Sequence, residues 1–225
     1  MKKEKKTYHI YLFRHGQTYY NRDGVFTGWK DSKLTPLGKR QAKIIAKKLK
    51  NKKIPVFFQT DLSRSKDTLK EVIKFHPEAQ EIITANRMIE RSYGDLEGTS
   101  HESFIKKIGE QQLNLRKEGD ALENLDPKER KKAERFLGEQ AYKVVHRGYN
   151  TPPLNGESFA MVERRVKKFI KNLIKFIKKE KVNVAISAHG NSIRMFRKVW
   201  EKTTKEEAKK WFIPYDKVFT YEVKV

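Results

Sequence analysis

The sequence predicts an α/β fold in three layers, α/β/α, with a mostly parallel central sheet and a helical insertion over the C-terminal ends of the strands. Three observations predict it. Short runs of β-formers alternate with segments of helical periodicity along the 225 residues, which is the pattern of βαβ units. Two of the apolar runs leave into the same dipeptide, His15-Gly16 and His189-Gly190, and sheets of this kind place ligands at the carboxyl ends of their strands. Residues 99–150 are polar and largely helical in pattern, too long for a plain connection, and are expected to form a cap over those ends. A chain of this length fits one domain spanning 1–225, with the cap at about 99–150.

The elements follow in order. The run YHIYLF (8–13) is rich in β-formers. Thr35-Pro36 marks a helix start, because Thr caps and Pro fits the first turn. Ala42, Ile45, Ala46 and Leu49 behind it recur at helical spacing. IPVFFQT (54–60) is a second strand, after which Asp61 or Ser63 is expected to cap a helix carrying Leu62, Leu69, Val72 and Ile73. AQEIITA (79–85) is a third strand. Val162, Val166, Phe169, Leu173 and Ile177 mark a long amphipathic helix. VNVAISA (182–188) is a strand, HGNSIRMFRKVW a helix that starts at the glycine, and VFTYEVKV (218–225) a closing strand.

The chain has no cysteine, which excludes a disulfide framework, thiolate catalysis and Cys-ligated zinc. No apolar run reaches the roughly 18 residues of a membrane helix, and the basic N-terminus lacks the long apolar core of a signal peptide. A cytoplasmic protein is expected. The net charge of +23 attracts anions: nucleic acid, acidic surfaces or phosphorylated metabolites. Its lysines are spread along helix-like stretches such as KFIKNLIKFIKKEK and read as solvated faces. No basic stripe with interleaved aromatics points to nucleic-acid readout.

A lone histidine is most often a packed core residue. Here Arg14 adjoins His15, and Arg64 follows the second strand. Guanidinium forks match phosphate oxygens and keep their charge, while Gly16 and Gly190 are expected to give a ligand close approach to the backbone. Two imidazoles and two guanidiniums make an anion pocket suited to phosphoryl transfer, with one imidazole attacking phosphorus. Metal binding is disfavoured, because the arginines repel a cation and no H-E-x-x-H helix is present. The leaving oxygen needs a proton from a carboxylic acid of raised pKa. Glu90 is the candidate, its alternative being a surface ion pair with Arg87 or Arg91.

LFRHGQTYYN (12–21), SRSKDT, ERSYGDLEG and AHGNS together resemble the histidine phosphatase superfamily. FTGW (26–29), ERSYG (90–94) and YNTPPLNGES (149–158) bring the resemblance closest to the cofactor-dependent phosphoglycerate mutases. The resemblance implies that His15 is the phosphorylated nucleophile and that Arg14, Arg64 and His189 bind the phosphoryl group. Asn21, Gly190 and Asn191 would assist, and Glu90 would carry the proton. Thr27, Gly28, Tyr93 and Arg147 would contact phosphoglycerate. It implies 2,3-bisphosphoglycerate as the phosphoryl primer and no metal. The expected partners are a small phosphorylated substrate and, as an assembly, a homodimer; neither a specific nucleic acid nor a membrane is expected.

Two positions depart from the family pattern. Where the family carries a lysine this chain has His101, and where it carries paired arginines this chain reads His146-Arg147. Fixed cations thus become titratable imidazoles, and binding of a substrate carboxylate is expected to weaken or to depend on pH. Family mutases also add a mobile C-terminal tail, whereas this sequence stops at Val225, so leakage of the phosphoryl group to water is expected. The alternative to a mutase is therefore a phosphomonoester phosphatase sharing the first half-reaction. A binding module that keeps the fold without catalysis, and a polyanion-binding protein, are the readings from other classes.

Overall fold

The computed structural model describes residues 6–117 and 125–225. Its centre is a five-stranded sheet in the order β3-β2-β4-β1-β5, built from β1 (Thr7–Arg14), β2 (Val56–Gln59), β3 (Glu81–Thr84), β4 (Val184–Ala188) and β5 (Val218–Lys224). The pairs β1–β4, β2–β4 and β2–β3 are parallel, and β5 runs antiparallel against β1. The helices are α1 (Tyr19–Arg22), α2 (Pro36–Leu49), α3 (Ser63–Ile73), α4 (His101–Lys117), α5 (Pro127–Arg147), α6 (Phe159–Glu180), α7 (Gly190–Glu201) and α8 (Lys205–Lys210).

Alternation along the strands splits the core in two, since successive side chains point to opposite faces. Ile10, Leu12, Val56, Phe58, Val184 and Ile186 pack with the apolar faces of α6 and α7. Tyr11, Phe13, Phe57 and Ala185 pack with Ile45, Ala46 and Leu49 of α2 and with Leu69 and Val72 of α3. Central strands apolar on both faces are what a helix-covered parallel sheet requires. The three-layer expectation is met.

Local chemistry explains most of the ends. Thr35 caps α2 through Gly38 N, with Pro36 in the first turn. Ser158 caps α6 through Met161 N. At α3 the expectation fails: neither Asp61 nor Ser63 caps it, and the N-cap residue is Leu62 with no side-chain bond. The carboxylate of Asp31, remote in sequence, accepts the Ser63 N–H at 3.0 and 3.2 Å instead. Sequence reading also passed over α8, although Thr204 and Glu207 form a reciprocal capping box there.

The expected insertion is a pair of antiparallel helices, α4 and α5; residues 118–124 of it lie outside the described residues. Opposed contacts run from His101–Tyr142 at one end to Asn114–Arg130 towards the other. The helices touch at two glycines. A Cβ on Gly109 would collide with the Glu134 carbonyl oxygen, and one on Gly138 with the Ile105 carbonyl oxygen. Gly138→Ala is therefore expected to force the pair apart, costing about 1–3 kcal/mol. It should lower the melting temperature and raise KM more than it lowers kcat, because α4 and α5 carry His101, His146 and Arg147. An unchanged melting temperature would contradict this close contact.

Candidate active site

The β1–β4 register builds the centre of the site. Arg14 pairs with Ala188, and the His15 N–H donates to the Ala188 carbonyl at 3.0 Å. The two His-Gly exits therefore lie side by side, with imidazole centroids 5.0 Å apart. A cavity of about 230 Å³ opens there. Arg14, His15, Asn21, Thr27, Gly28, Arg64, Glu90, Tyr93, His101, His146, Arg147, Gly190 and Asn191 all line it. Of the residues singled out for the pocket in the sequence, Gly16 and His189 do not line it; His189 stands behind the wall, fully buried against His15.

His15 is 1 % exposed. Its Nδ1 lies 2.7 Å from the Gly16 carbonyl oxygen. A carbonyl only accepts, so Nδ1 carries the proton and Nε2 is left with a free lone pair. Burial, reinforced by the Arg64 and Arg14 charges, holds this imidazole well below the usual histidine range. It is uncharged near neutral pH, the state in which an imidazole can act as a nucleophile. His189 is lowered in the same way by burial and then by Arg64 and His15. Its Nε2 meets Thr60 Oγ1 at 2.8 Å, and its Nδ1 is buried without a partner.

The cations are held from behind. Arg64 donates to the carbonyls of Gly28 at 2.7 Å and Lys30 at 2.9 Å. Burial lowers it to about 10, opposed by Glu90 and Asp31, and it stays charged at neutral pH. Arg14 donates to the Ile213 carbonyl at 3.0 Å and keeps a buried, unpartnered Nε. The FTGW loop thus acts chiefly as the seat of Arg64. The loop is itself clamped by Glu97, whose carboxylate accepts the N–H groups of Trp29, Lys30 and Tyr93 and the Ser92 hydroxyl.

Glu90 is buried and makes no ion pair with Arg87 or Arg91 among the described residues, so the surface-pair alternative is set aside. Its Oε1 accepts the N–H of Arg91 at 2.8 Å and of Asn191 at 3.1 Å, the latter at the start of α7. Its own carbonyl accepts Trp29 Nε1 at 2.8 Å and Arg165 Nη2 at 3.0 Å. Arg165 pairs with Glu157, which also accepts the Ser92 N–H. The GES segment therefore braces the loop that presents Glu90.

One expectation about glycine is corrected. Gly16 does not make room for a ligand: a Cβ there would strike the Gly38 carbonyl oxygen of α2, so the glycine lets the loop pack on that helix. Gly190 does line the cavity, and a Cβ there would make only ordinary contact, 3.4 Å from Arg14 Cζ.

The cap closes the far wall. His101 Nδ1 lies 3.2 Å from the Tyr142 hydroxyl, and the His146 ring stacks on Tyr142 at 4.9 Å. Burial, then the Arg147 and Arg91 charges, pushes His146 down to about 2; burial lowers His101. Arg91 is buried between the Tyr93 and Phe159 rings and donates to the Val145 and His146 carbonyls, pinning the end of α5. Sequence reasoning missed Arg194, which lines the cavity one turn after Gly190 on α7; that helical spacing could have found it. It donates to the Trp211 carbonyl and to Asn191 Oδ1, and burial lowers it to about 9. Tyr20, Phe212, Ile213 and Tyr215 were missed as well, and for the last three the sequence holds no local signal.

These imidazoles make stability depend on pH. The histidines of the unfolded chain titrate near 6.5, while His15, His189 and His146 refuse the proton when folded. Their contribution is therefore complete above about pH 6.5 and is lost as pH falls below it, on the order of 1 kcal/mol per pH unit for each. Urea titrations from pH 7.5 to 5 should show this decline, and added phosphate should reduce it. A stability independent of pH across that window would contradict the neutral assignment.

Among the described residues no cluster of three or more His, Cys, Asp or Glu is placed to hold a metal ion, and no helix is long and apolar enough to cross a membrane. The sequence family described as the histidine phosphatase superfamily (branch 1) matches residues 10–130 and 121–224. A 2,3-bisphosphoglycerate-dependent phosphoglycerate mutase of Pseudoalteromonas atlantica is 32% identical over 194 residues, covering 86% of this chain and 84% of the relative. By fold, the chain resembles a phosphoglycerate mutase from Bacillus anthracis at a TM-score of 0.68 and 18% identity, covering 99% and 92% of the two chains. It also resembles a mycobacterial glucosyl-3-phosphoglycerate phosphatase at 0.64 and 20%, covering 91% and 84%. With its two His-Gly exits joined in one arginine-lined cavity, the chain belongs to the histidine phosphatase superfamily, branch 1.

Proposed function

We propose that this protein is a 2,3-bisphosphoglycerate-dependent phosphoglycerate mutase, interconverting 3-phosphoglycerate and 2-phosphoglycerate through a phosphohistidine at His15, a cytoplasmic step of glycolysis and gluconeogenesis. The observation that carries the reading is the lining of the cavity: among the described residues, four guanidiniums (Arg14, Arg64, Arg147, Arg194) stand against one carboxylate, Glu90. That is more positive charge than one phosphoryl group requires, and it suits a substrate with a second acidic group. Relatives near 30% identity that carry the mutase name support it.

The donor set, with the unpartnered nitrogens of Arg14 and His189, also fits 2,3-bisphosphoglycerate. Arg14 and Arg64 would hold one phosphoryl group, and His189 would reach it only through its unpartnered Nδ1 from behind His15; Arg147, Arg194, Asn191 and the imidazoles of His101 and His146 would face the other end. When bound, that compound supplies the first phosphoryl group. The chain then does three things. His15 Nε2 offers its lone pair in line, so that the N–P bond forms as the ester O–P bond breaks. The guanidiniums hold the equatorial oxygens as charge spreads over them. Glu90 gives a proton to the leaving oxygen and takes one from the next hydroxyl.

One observation favours the second reading, a phosphomonoester phosphatase. Burial keeps His146 uncharged near neutral pH, so of the His146-Arg147 pair only Arg147 is a fixed cation for a glycerate carboxylate. A coupled assay with 3-phosphoglycerate, with and without bisphosphate primer, separates the two. Primer-dependent 2-phosphoglycerate is the expected product, and inorganic phosphate alone would contradict the mutase.

A further inference from the structure

The segment 211–216, between α8 and β5, is pinned from below and presents two aromatic rings to the cavity. The Trp211 carbonyl accepts Arg194 Nε and Nη2 at 3.2 and 2.7 Å. The Ile213 carbonyl accepts Arg14, and the Ile213 side chain is buried in the core. The Asp216 carbonyl accepts Lys48 Nζ at 2.6 Å. Between these ties Phe212 and Tyr215 line the cavity. The Tyr215 ring lies 4.0 Å from Arg14 Cζ, and it meets the His15 ring nearly edge-on at 6.4 Å. Phe212 is 69% exposed, a large apolar side chain left at the lip of a charged pocket.

We propose that Tyr215, with Phe212 beside it, sets whether the phosphoryl group on His15 leaves to a bound hydroxyl or to water. The role rests on His15 being the phosphorylated residue. In hydrolysis a water oxygen bonds to phosphorus, the N–P bond breaks with its electron pair returning to Nε2, and the water's proton passes to Glu90. Transfer to a bound alcohol follows the same course, but arginines across the pocket place its hydroxyl. Water has no such guide and depends on open access. An apolar ring beside His15 removes room for water without touching the acceptor's cationic contacts. The stack on Arg14 also fixes that guanidinium, so loss of the ring alters both rates. The ratio of the two is what isolates shielding.

The test labels the protein with 2,3-bisphosphoglycerate carrying radioactive phosphoryl groups, removes free ligand, and follows loss of label in buffer alone and with 3-phosphoglycerate added. In the parent the label should persist in buffer and leave quickly to the acceptor. Tyr215→Ala should shorten the lifetime in buffer roughly tenfold or more while changing transfer far less, and Phe212→Ala should shift the ratio in the same direction. Tyr215→Phe keeps the ring and should match the parent. Equal lifetimes in the parent and Tyr215→Ala, or equal shifts in the Ala and Phe variants, overturn the role of Tyr215 alone. Label that never reaches His15 overturns the phosphohistidine and this role with it. Label that reaches His15 and leaves only as inorganic phosphate, faster in Tyr215→Ala, overturns the mutase reading and upholds the shielding.

Discussion

His15→Ala is expected to lower turnover of 3-phosphoglycerate on the order of 10⁴-fold or more, the scale on which loss of a covalent nucleophile is measured. The expectation rests on the free Nε2 created by the 2.7 Å contact from Nδ1 to the Gly16 carbonyl, and on the burial and cations that keep the ring neutral. No other histidine takes its place. His189 is buried behind it with Nε2 engaged by Thr60, and His101 and His146 stand on the cap. Phosphate binding should survive, since Arg14 and Arg64 are anchored by the carbonyls of Ile213, Gly28 and Lys30. Initial rates with primer present, together with phosphate-dependent thermal shifts, check both halves. A variant within about tenfold of the parent would contradict the assignment.

Glu90→Gln is expected to cost about 10² to 10⁴ in kcat, the range for loss of a positioned acid–base group, with a much smaller change in KM. The amide is nearly isosteric, and its carbonyl oxygen still accepts the N–H groups of Arg91 and Asn191 that the carboxylate accepts now. The loop should therefore hold its place while the proton carrier is lost. Removing the Glu90 carboxylate from the cavity lining leaves its positive field stronger, so anion binding should not weaken. Steady-state kinetics against pH reads the result. Equal losses in kcat and in pocket binding would mean that Glu90 serves the structure and not the proton transfer.

Much of this site was legible in the sequence because it is built from strand exits. The short runs of β-formers at 8–13 and 182–188 placed β1 and β4, and parallel pairing in register then sets His15 beside His189. The cap was legible as polar helical sequence, although its tight Gly109 and Gly138 contacts were not. What escaped depends on chain segments meeting from afar. Asp31 caps α3 across 32 positions, Arg64 is seated by Gly28 and Lys30, and Gly16 answers to Gly38. Tyr215 and Phe212 lie in an irregular segment with no periodicity, and only the fold brings them to Arg14 and His15. Arg194 escaped for another reason: a reading that stops at a motif overlooks the next turn of the helix that follows it.

The proposed function depends on His15 carrying the phosphoryl group. Brief incubation of the protein with labelled 2,3-bisphosphoglycerate, followed by denaturation and peptide mapping, tests it most directly. Stoichiometric label is expected on the peptide containing His15, labile in acid and stable in base, lost in His15→Ala, and discharged to 2- or 3-phosphoglycerate when either is added. Label that survives His15→Ala, or that proves stable in acid, would contradict it.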